Sequence, residues 1–573
     1  MGDYATICLV ITMNKHNRKI SRPIRIGLSF IIAVALIIVF VPLLNNVIHP
    51  IKYIASSENT LTVSIPYIIN GEVDETTLEI PRGTQVHISE KGAETSQIKY
   101  KGQLVSIPNE NLVDSLENCV QIENVYPRRL INLREKKGGK LSDEVVTKGE
   151  KVKVLKVDPQ DLDTTGNVKW YQVEKDGKEY YLSGQYVETS KELALTDYSS
   201  SISYSTYWDA YYGENYSKDA YIDQIDYKPQ EVPNYENNPL REDINAVHVS
   251  LEKLVENKDY YMNLNDTTGI NSLAIEIKGD GGSIFYDSDV PEDYLSNPSE
   301  ATSSSLMSKD ELSSLFKELQ DDGFYVIARV VTFKDAIFAS QNPDDSFTDQ
   351  NGNLVLHNDE YWPSAFSRKA WSYNVDIAKE IAQCNVNEIQ FDYVRFPDGT
   401  LSKALDGTID LHNTYNESKT SALQGFLIYA KEELAQYEVY VAADIFAWPV
   451  VAQDDQDIGQ FLPAIANIVD IVSPMPYTDH FSMGAMGIDD PTANPEETLY
   501  QFSLITKKTL DSIETPAIYR TWIQGYGDFG PDEMVAQING IKKAGYQGYM
   551  VWAGSGDQEI LDPRKDGFID SAS

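Results

Sequence analysis

An acidic and a basic side chain stand together at the end of one strongly apolar segment. Residues 388–394 read EIQFDYV and predict a buried strand, and Asp392 and Arg395 lie where that strand passes into a loop. Burying such a charged pair is unfavourable unless it binds a ligand or satisfies a partner. Arg395 would hold the Asp392 carboxylate ionised, as a nucleophile or a base requires. The alternative is a structural ion pair that closes the strand.

Eight such segments alternate with helical segments from residue 243 onward. The predicted strands are 246–251, 272–277, 325–331, 388–394, 439–445, 468–473, 517–522 and 548–553. Eight parallel strands close a TIM barrel, whose C-terminal face carries the reactive side chains. Helix signals between them support the alternation, including a capping box of Ser308 with Glu311 and Pro531 in a first helical turn. We therefore predict an α/β fold with a (β/α)8 TIM barrel over residues 243–565.

Alternation along these strands predicts which polar side chains point into the mouth of the barrel. The predicted inward residues are Glu276, Lys278, Arg329, Asp392, Asp444, Arg520, Trp522 and Gln524. Three acids and three bases would then share one cavity. Burial and neighbouring charges separate the pKa values of such acids, which suits one as a proton donor and another as a base.

Four motifs carry a resemblance to a known family. They are VIARVVTFKD at 326–335, EIQFDYVRFP at 388–397, VSPMPY at 472–477 and RTWIQGYG at 520–527. In this order they resemble a glycoside hydrolase family of bacterial surface proteins, formerly described as a domain of unknown function and placed among the TIM-barrel glycosidases. The resemblance covers residues 243–565 and implies hydrolysis of an O-glycosyl bond. One departure concerns residues 473–481, where relatives usually read SPMVYPSHY and this chain reads SPMPYTDHF.

Glycosidases use two carboxylates on opposite sides of a sugar ring, one of them protonated at working pH. We expect Asp392 to be the nucleophile or the water-activating base. Asp444 is expected to be the acid, because the apolar segment VYVAAD would raise the pKa of its carboxyl group. Glu276 is the alternative acid. Substrate contacts are expected from Lys278, Arg329, Tyr393, Arg395, Tyr477, Arg520, Trp522, Gln524 and Trp552. The alternative for the whole set is a neutralised salt-bridge network without chemistry.

The N-terminal residues predict a membrane anchor. Basic residues between Lys15 and Arg25 precede the uncharged run 26–48, which is long enough to span a bilayer. Positive charge on the N-terminal flank predicts a cytoplasmic tail at 1–25, a transmembrane segment at 26–48 and extracellular domains at the plasma membrane. A cleaved signal peptide is the alternative.

An internal repeat and a linker follow the predicted anchor. LEIPRGTQVHISEKG at 78–92 and EVVTKGEKVKVLKVD at 144–158 each begin a set of alternating strands with glycine-containing turns. We predict two all-β modules at 60–125 and 126–192. The module at 126–192 resembles a bacterial SH3-like module, and the module at 60–125 is a more diverged version of the same pattern. Such modules could contact cell-wall polymer or act as spacers. Residues 193–242, rich in Tyr and Ser, form the predicted linker.

Composition excludes several classes of function. The chain has 573 residues and a formal charge of −39, which would repel a nucleic-acid backbone. Its seven histidines lack a paired metal-binding spacing, and we find no G-x-S-x-G, P-loop or dinucleotide motif. We therefore expect no metal and no cofactor. The three cysteines Cys8, Cys119 and Cys384 indicate no disulfide framework, and Cys384 is expected to be a buried thiol.

Two hypotheses of different class remain. The first is a membrane-anchored glycoside hydrolase that cuts cell-wall or extracellular polysaccharide. The second is a non-catalytic barrel that binds polysaccharide for surface attachment or wall organisation. The separation of the Asp392 and Asp444 carboxyl groups distinguishes them, because either glycosidase mechanism requires roughly 5 to 10 Å.

Overall fold

The computed structural model describes residues 50–69, 72–212, 221–230 and 232–572. Two compact units are present: one runs to Glu123 and includes Leu155–Tyr171, and the other comprises Asn124–Val154 and the chain from Gln172 onward. The predicted tail at 1–25 and anchor at 26–48 lie outside the described residues. None of the helices within the described ranges is both long enough and apolar enough to cross a membrane.

The first unit is built from antiparallel strands. They are β1 Ile51–Ile54, β2 Thr60–Ile69, β3 Glu72–Pro81, β4 Gln85–Lys91, β5 Thr95–Tyr100, β6 Gln103–Pro108 and β7 Leu112–Val113. Five of them form a sheet in the order β6-β5-β4-β1-β7, while β2 and β3 form a separate hairpin. Alternating apolar positions such as Val86 and Ile88 on β4 are buried, as the period of two predicts. Cys119 is buried and free.

A second set of strands precedes the barrel. They are β8 Asn124–Pro127, β9 Ile131–Arg134, β10 Leu141–Val146, β11 Val152–Val157, β12 Trp170–Lys175, β13 Lys178–Ser183 and β14 Val187–Glu188, in the sheet order β10-β9-β13-β12-β11-β8-β14. The all-β character of both predicted modules is thus present, and their SH3-like identity stays a prediction. Arg134 on β9 forms salt bridges to Glu432 and Glu433 on a barrel helix, so β9 is fastened to the barrel.

The barrel has the predicted strands in a parallel sheet. They are β15 Asn245–Ser250, β16 Ser272–Lys278, β17 Tyr325–Val331, β18 Glu388–Asp392, β19 Tyr440–Phe446, β20 Ile471–Met475, β21 Ile518–Tyr519, β22 Thr521–Gln524 and β23 Tyr549–Trp552. The order is β21-β20-β19-β18-β17-β16-β15-β23-β22. β21 and β22 are the two halves of the predicted seventh strand, interrupted at Arg520: β21 pairs with β20 and β22 with β23. The sheet is therefore nearly closed into a barrel, which confirms the predicted α/β barrel fold.

Helices connect the strands and cover the barrel. The α-helices of the described ranges are Lys191–Ala194, Tyr207–Tyr212, Leu251–Glu256, Lys258–Met262, Leu264–Thr268, Pro291–Tyr294, Pro298–Ala301, Lys309–Asp321, Ala336–Gln341, Arg368–Ala382, Thr400–Leu405, Lys419–Leu434, Ala447–Ala452, Leu462–Ala466, Pro495–Leu510, Pro531–Lys543, Gln558–Leu561 and Lys565–Ala572. The Ser308–Glu311 capping box is formed, and Pro531 is the first residue of its helix. Both helix starts were predicted, so local sequence signals suffice there.

Strand alternation divides the barrel into two apolar layers. Val247, Leu273, Val326 and Ile389 belong to the large core between the strands and the helices. Ala246, Ala274, Ile327, Trp522 and Met550 form a separate cluster inside the barrel. The residues of this second cluster therefore face the barrel interior, and their neighbours along each strand face the helices, as the period of two requires.

Arg520 lies at the N-terminal end of the barrel interior, and its predicted place in the mouth is wrong. Its guanidinium contacts both carboxylate oxygens of Glu388, the first residue of β18, at 2.8 and 3.0 Å. Tyr325, the first residue of β17, donates to the same carboxylate at 3.0 Å. Arg520 and Glu388 are both fully buried. Arg520 comes before β22, two residues ahead of Trp522, and therefore lies deeper in the barrel; alternation gives its face but not its depth.

We expect Arg520→Met to destabilise the protein strongly. The substitution leaves the Glu388 carboxylate buried without its cation, which costs about 3–5 kcal/mol. Urea denaturation followed by tryptophan fluorescence would measure the free energy of unfolding. The control is Lys507→Met, which removes an exposed pair with Asp511 and is expected to change stability by about 1 kcal/mol or less. Equal effects of the two substitutions would contradict the role assigned to the buried pair.

Lys278 also lies elsewhere than predicted. A register shift between Glu276 and Lys278 places Lys278 opposite Val330, which faces the helices. Its ammonium group is fully buried, forms a salt bridge to Asp335 at 2.7 Å and donates to the Val331 carbonyl. The extra residue of the bulge reverses the alternation. Lys278 is therefore a structural cation between strand and helix, and its predicted substrate contact is wrong.

Candidate active site

Arg329 is the centre of the charged cluster inside the barrel. On β17, its guanidinium contacts Asp392 Oδ2 through Nε at 3.0 Å and through Nη2 at 2.5 Å. Its Nη1 donates to Glu276 Oε1 at 3.0 Å. These carboxylates raise the pKa of Arg329 against the opposing effect of burial, so the guanidinium stays charged. One cation thereby holds two carboxylates from the neighbouring strands β16 and β18.

Asp392 is fixed on both oxygens. Arg329 binds Oδ2, and the backbone N–H of Tyr393 donates to Oδ1 at 2.6 Å. Tyr393 adopts a left-handed backbone conformation with φ 49°, which is unusual for a residue with a bulky side chain. The residue that supplies this N–H is therefore held in a strained backbone conformation beside the carboxylate. The sequence prediction named Arg395 as the cation that holds Asp392, and the structure gives this place to Arg329.

Asp444, unlike Asp392, is a fully buried acid that is not bonded to a cation among the described residues. It lies on β19 inside the barrel and is fully buried. Oδ1 accepts a hydrogen bond from Trp522 Nε1 at 2.8 Å, while Oδ2 has no partner among the described residues. Burial, followed by the negative charge of Asp392, raises the pKa of Asp444 well above its usual range. The structure therefore favours a protonated Asp444 beside an Asp392 that is bonded to a cation.

Glu276 is the more exposed of the two candidate acids. Its side chain is 19% exposed, whereas Asp444 is fully buried. Burial raises the pKa of Glu276, and the charge of Arg329 opposes this effect. Glu276 thus combines a raised pKa with access from the mouth, and it stays the alternative acid.

The predicted aromatic platforms differ from one another. Trp522 is 1% exposed and its indole N–H is used by Asp444, so it has no free face for a sugar, contrary to prediction. Trp552 is half-buried, and the Arg329 guanidinium lies over its ring at 5.1 Å. Tyr477 is buried near the two aspartates, and burial, followed by the charges of Asp444 and Asp392, raises its pKa. Gln524 is buried, and its side-chain oxygen accepts a hydrogen bond from Thr478 Oγ1 at 2.9 Å. Gln524 therefore holds the segment 473–481, whose sequence differs from that of relatives.

His248 is an inward residue that the sequence interpretation considered only as a metal ligand. Its Nδ1–H donates to the Gly554 carbonyl at 2.6 Å, and its ring lies 4.3 Å from that of Trp552. Burial, then the charge of Arg329, lowers the pKa of His248 to about 3. The imidazole is therefore neutral, and Nε2 is a buried acceptor without a partner in the described structure. Alternation from Ala246 could have identified it.

Within the described residues, no group of three or more His, Cys, Asp or Glu side chains has an arrangement suited to a metal ion. Cys384 is buried and free, as predicted. The residues that the barrel interior does bring together are Glu276, Arg329, Asp392, Asp444, Trp522 and Trp552.

A search of curated proteins gave no match. A hypothetical protein from Ruminiclostridium thermocellum is 27% identical, with 35% of this chain and 96% of that chain covered and a TM-score of 0.30. The PgaB (BpsB) glycoside hydrolase domain from Bordetella bronchiseptica is 16% identical, with 58% and 99% covered and a TM-score of 0.41. A chitobiase from Flavobacterium johnsoniae is 8% identical, with 57% and 47% covered and a TM-score of 0.39.

The family comparison extends over most of the barrel. A family profile matches residues 246–557, from the first barrel strand to the segment after the last. This range includes all four motifs on which the resemblance was based. The chain therefore belongs to the family described as "Putative glycosyl hydrolase domain".

Proposed function

We propose that this chain is a membrane-anchored extracellular glycoside hydrolase that cuts cell-wall or extracellular polysaccharide with paired carboxylates at the barrel mouth. The observation that carries the proposal is the contrast between two neighbouring aspartates. Asp392 is bonded to Arg329, whereas burial and the charge of Asp392 raise the pKa of Asp444. Glycoside hydrolysis needs one ionised and one protonated carboxyl group at the same pH.

Each group then has a defined task. The protonated Asp444 donates its proton to the glycosidic oxygen as the bond to the leaving sugar breaks. The ionised Asp392 either attacks the anomeric carbon or removes a proton from the attacking water. Arg329 positions Asp392 and supports its negative charge. Glu276 takes the role of acid in the alternative, which its greater exposure favours.

The second candidate function is polysaccharide binding without hydrolysis. It is favoured by the continuous network from Glu276 through Arg329 to Asp392, which neutralises part of the cluster internally. It is also favoured by the complete burial of Asp444. In this function the cluster shapes a sugar-binding surface, and neither aspartate transfers a proton.

In this proposal, residues outside the barrel determine where the protein is placed in the cell. The run 26–48 holds the protein in the plasma membrane with its N-terminus inside. The all-β modules contact cell-wall polymer or hold the barrel away from the membrane. The acidic composition is compatible with a soluble extracellular region.

A degradation screen tests the proposed activity against binding. Purified protein is incubated with bacterial cell-wall and extracellular polysaccharides, and new reducing ends and sedimented protein are measured in the same samples. We expect new reducing ends on at least one polymer. Co-sedimentation without reducing ends on any polymer would contradict hydrolysis and support the binding function.

We expect Trp522→Phe to move the alkaline limb of the pH–activity profile to higher pH. The indole N–H stabilises the charged form of Asp444, so its loss raises the Asp444 pKa further. A hydrogen bond to a charged group of about 1.5–3 kcal/mol corresponds to a shift of roughly one to two pH units. Trp448→Phe, at a tryptophan that is 39% exposed, is the control. An unchanged limb would exclude Asp444 as the acid that titrates there.

A further inference from the structure

Arg395 is a buried cation at the barrel mouth, and no carboxylate in the described ranges pairs with it. It is 8% exposed, and among the described residues it forms no salt bridge. Its Nη1 donates to the Phe396 carbonyl at 3.0 Å, while Nε is buried and has no acceptor within the part of the chain that the structure describes. Arg329, Arg520 and Lys278, which are also buried in this barrel, each have a carboxylate within hydrogen-bond distance. Arg564, the other buried arginine with only carbonyl acceptors, lies after the last barrel strand and away from the aspartates. A buried charge is ordinarily paired, so the Nε–H of Arg395 is suited to an acceptor supplied by a ligand.

Aromatic rings surround this guanidinium. It lies 4.4 Å from the ring centre of Phe446, 5.1 Å from that of Tyr393 and 5.4 Å from that of Trp362. Such rings stabilise a cation through their faces but offer its N–H groups no acceptor. Phe446, the nearest of the three rings, is 39% exposed, so the aromatic surroundings of the guanidinium reach the solvent on this side.

Arg395 lies close to the two strand ends that carry the proposed catalytic aspartates. It follows Asp392 by three residues at the end of β18. Phe446, which covers it, follows Asp444 by two residues at the end of β19. A ligand group at the Nε–Nη2 edge would therefore lie beside the strands that carry both proposed catalytic aspartates.

We propose that Arg395 is a subsite for an anionic substituent of the substrate, namely the carboxylate of an acidic sugar. This proposal rests on the proposed glycoside hydrolase function. A planar carboxylate matches the two parallel N–H donors of an arginine edge. A phosphate group could use the same donors, but its tetrahedral shape fits a slot between flat rings less well. The substrate class is thus a polysaccharide that contains acidic sugars.

The neighbouring Lys334 provides a matched comparison. Its ammonium group lies 5.0 Å from the Tyr393 ring, on the same aromatic residue that Arg395 contacts. Unlike Arg395, it is paired with Asp280 at 2.7 Å. Lys334 supplies the same charge in the same region, but a carboxylate of the chain already binds it. If substitution of Arg395 weakens ligand binding more than substitution of Lys334, the ligand contacts the Arg395 guanidinium directly and does not only respond to positive charge in this region.

The test uses three ligands that share a pyranose ring and differ at C6. They are glucose, glucuronate and glucose 6-phosphate, titrated into the full-length protein and followed by the NMR signal of the Arg395 Nε–H. Arg395→Gln identifies the signal by its loss, and calorimetry measures the affinity of each variant. Thermal unfolding of Arg395→Gln and Arg395→Lys establishes that both are folded.

We expect glucuronate to shift the signal and glucose to leave it unchanged. Arg395→Gln should weaken glucuronate binding by at least about 10-fold and Lys334→Gln by less than about two-fold. Arg395→Lys, which keeps the charge but loses the planar edge, should weaken it nearly as much as Arg395→Gln. Equal binding of glucose and glucuronate, or equal losses at Arg395 and Lys334, would overturn the subsite. Tighter binding of glucose 6-phosphate would overturn the carboxylate and assign a phosphate.

Asp392→Asn separates this proposal from the activity. The variant should still bind glucuronate at Arg395, whatever its effect on hydrolysis. Glucuronate binding together with a failed degradation screen would contradict the hydrolase and leave the subsite as part of a binding protein. Hydrolysis of neutral polysaccharide without glucuronate binding would contradict the subsite and support the hydrolase.

Discussion

Asp392→Asn is expected to lower the rate of polysaccharide hydrolysis by at least about 1,000-fold, the upper part of the range for loss of a catalytic acid or base. Asparagine is nearly isosteric with aspartate but can neither attack the anomeric carbon nor accept a proton from water. It also removes the charge that Arg329 contacts at 2.5 Å. Initial rates of reducing-end formation measure the effect.

The control for this substitution is Asp280→Asn. Asp280 lies just after β16, is half exposed and pairs with Lys334. The same chemical change there should alter the rate by no more than about two-fold, as is usual for an exposed side chain. Comparable rates of the wild-type protein and Asp392→Asn would remove Asp392 from the mechanism.

Asp444→Asn is expected to show a loss that depends on the leaving group. On a natural polysaccharide the rate should fall by about 100- to 10,000-fold, because no proton reaches the departing oxygen. On an aryl glycoside with an acidic phenol the loss should be small, since that leaving group departs without a proton. Rates on the two substrates, measured for Asp444→Asn and Glu276→Gln, identify the acid.

The comparison of these two variants decides between the candidate acids. The proposal predicts the leaving-group dependence for Asp444→Asn and a smaller, uniform loss for Glu276→Gln. The opposite pattern would make Glu276 the acid and Asp444 a buried neighbour. In the wild-type protein the acid must be protonated, so activity should fall as pH rises through its raised pKa. Asp444→Asn should remove this alkaline limb if Asp444 is the acid.

Much of the fold was predictable because short-range signals determine it. Period-two alternation separates Ile389, which faces the helices, from Asp392, which faces the interior. The same rule places Glu276, Arg329 and Asp444 inside the barrel. Helix starts at Ser308 and Pro531 follow from capping chemistry within one turn.

The errors arose where the geometry depends on residues distant in sequence. A bulge turns Lys278 toward the helices, and Arg520 contacts Glu388 at the end of the barrel opposite the mouth. The partner of Asp392 is Arg329, 63 residues away on the adjacent strand, and not the nearby Arg395. The hydrogen bond that occupies Trp522 spans 78 residues. Alternation gives the face of a side chain but neither its depth nor its partner.

A crystal structure with a bound, uncleaved oligosaccharide tests the central claim most directly. The measured quantity is the separation of the Asp392 and Asp444 carboxyl groups on either side of the scissile bond. We expect roughly 5 to 10 Å, with about 5 Å for a retaining and a longer distance for an inverting mechanism. A sugar that binds with these two groups on the same side of the bond, or much farther apart, would contradict it.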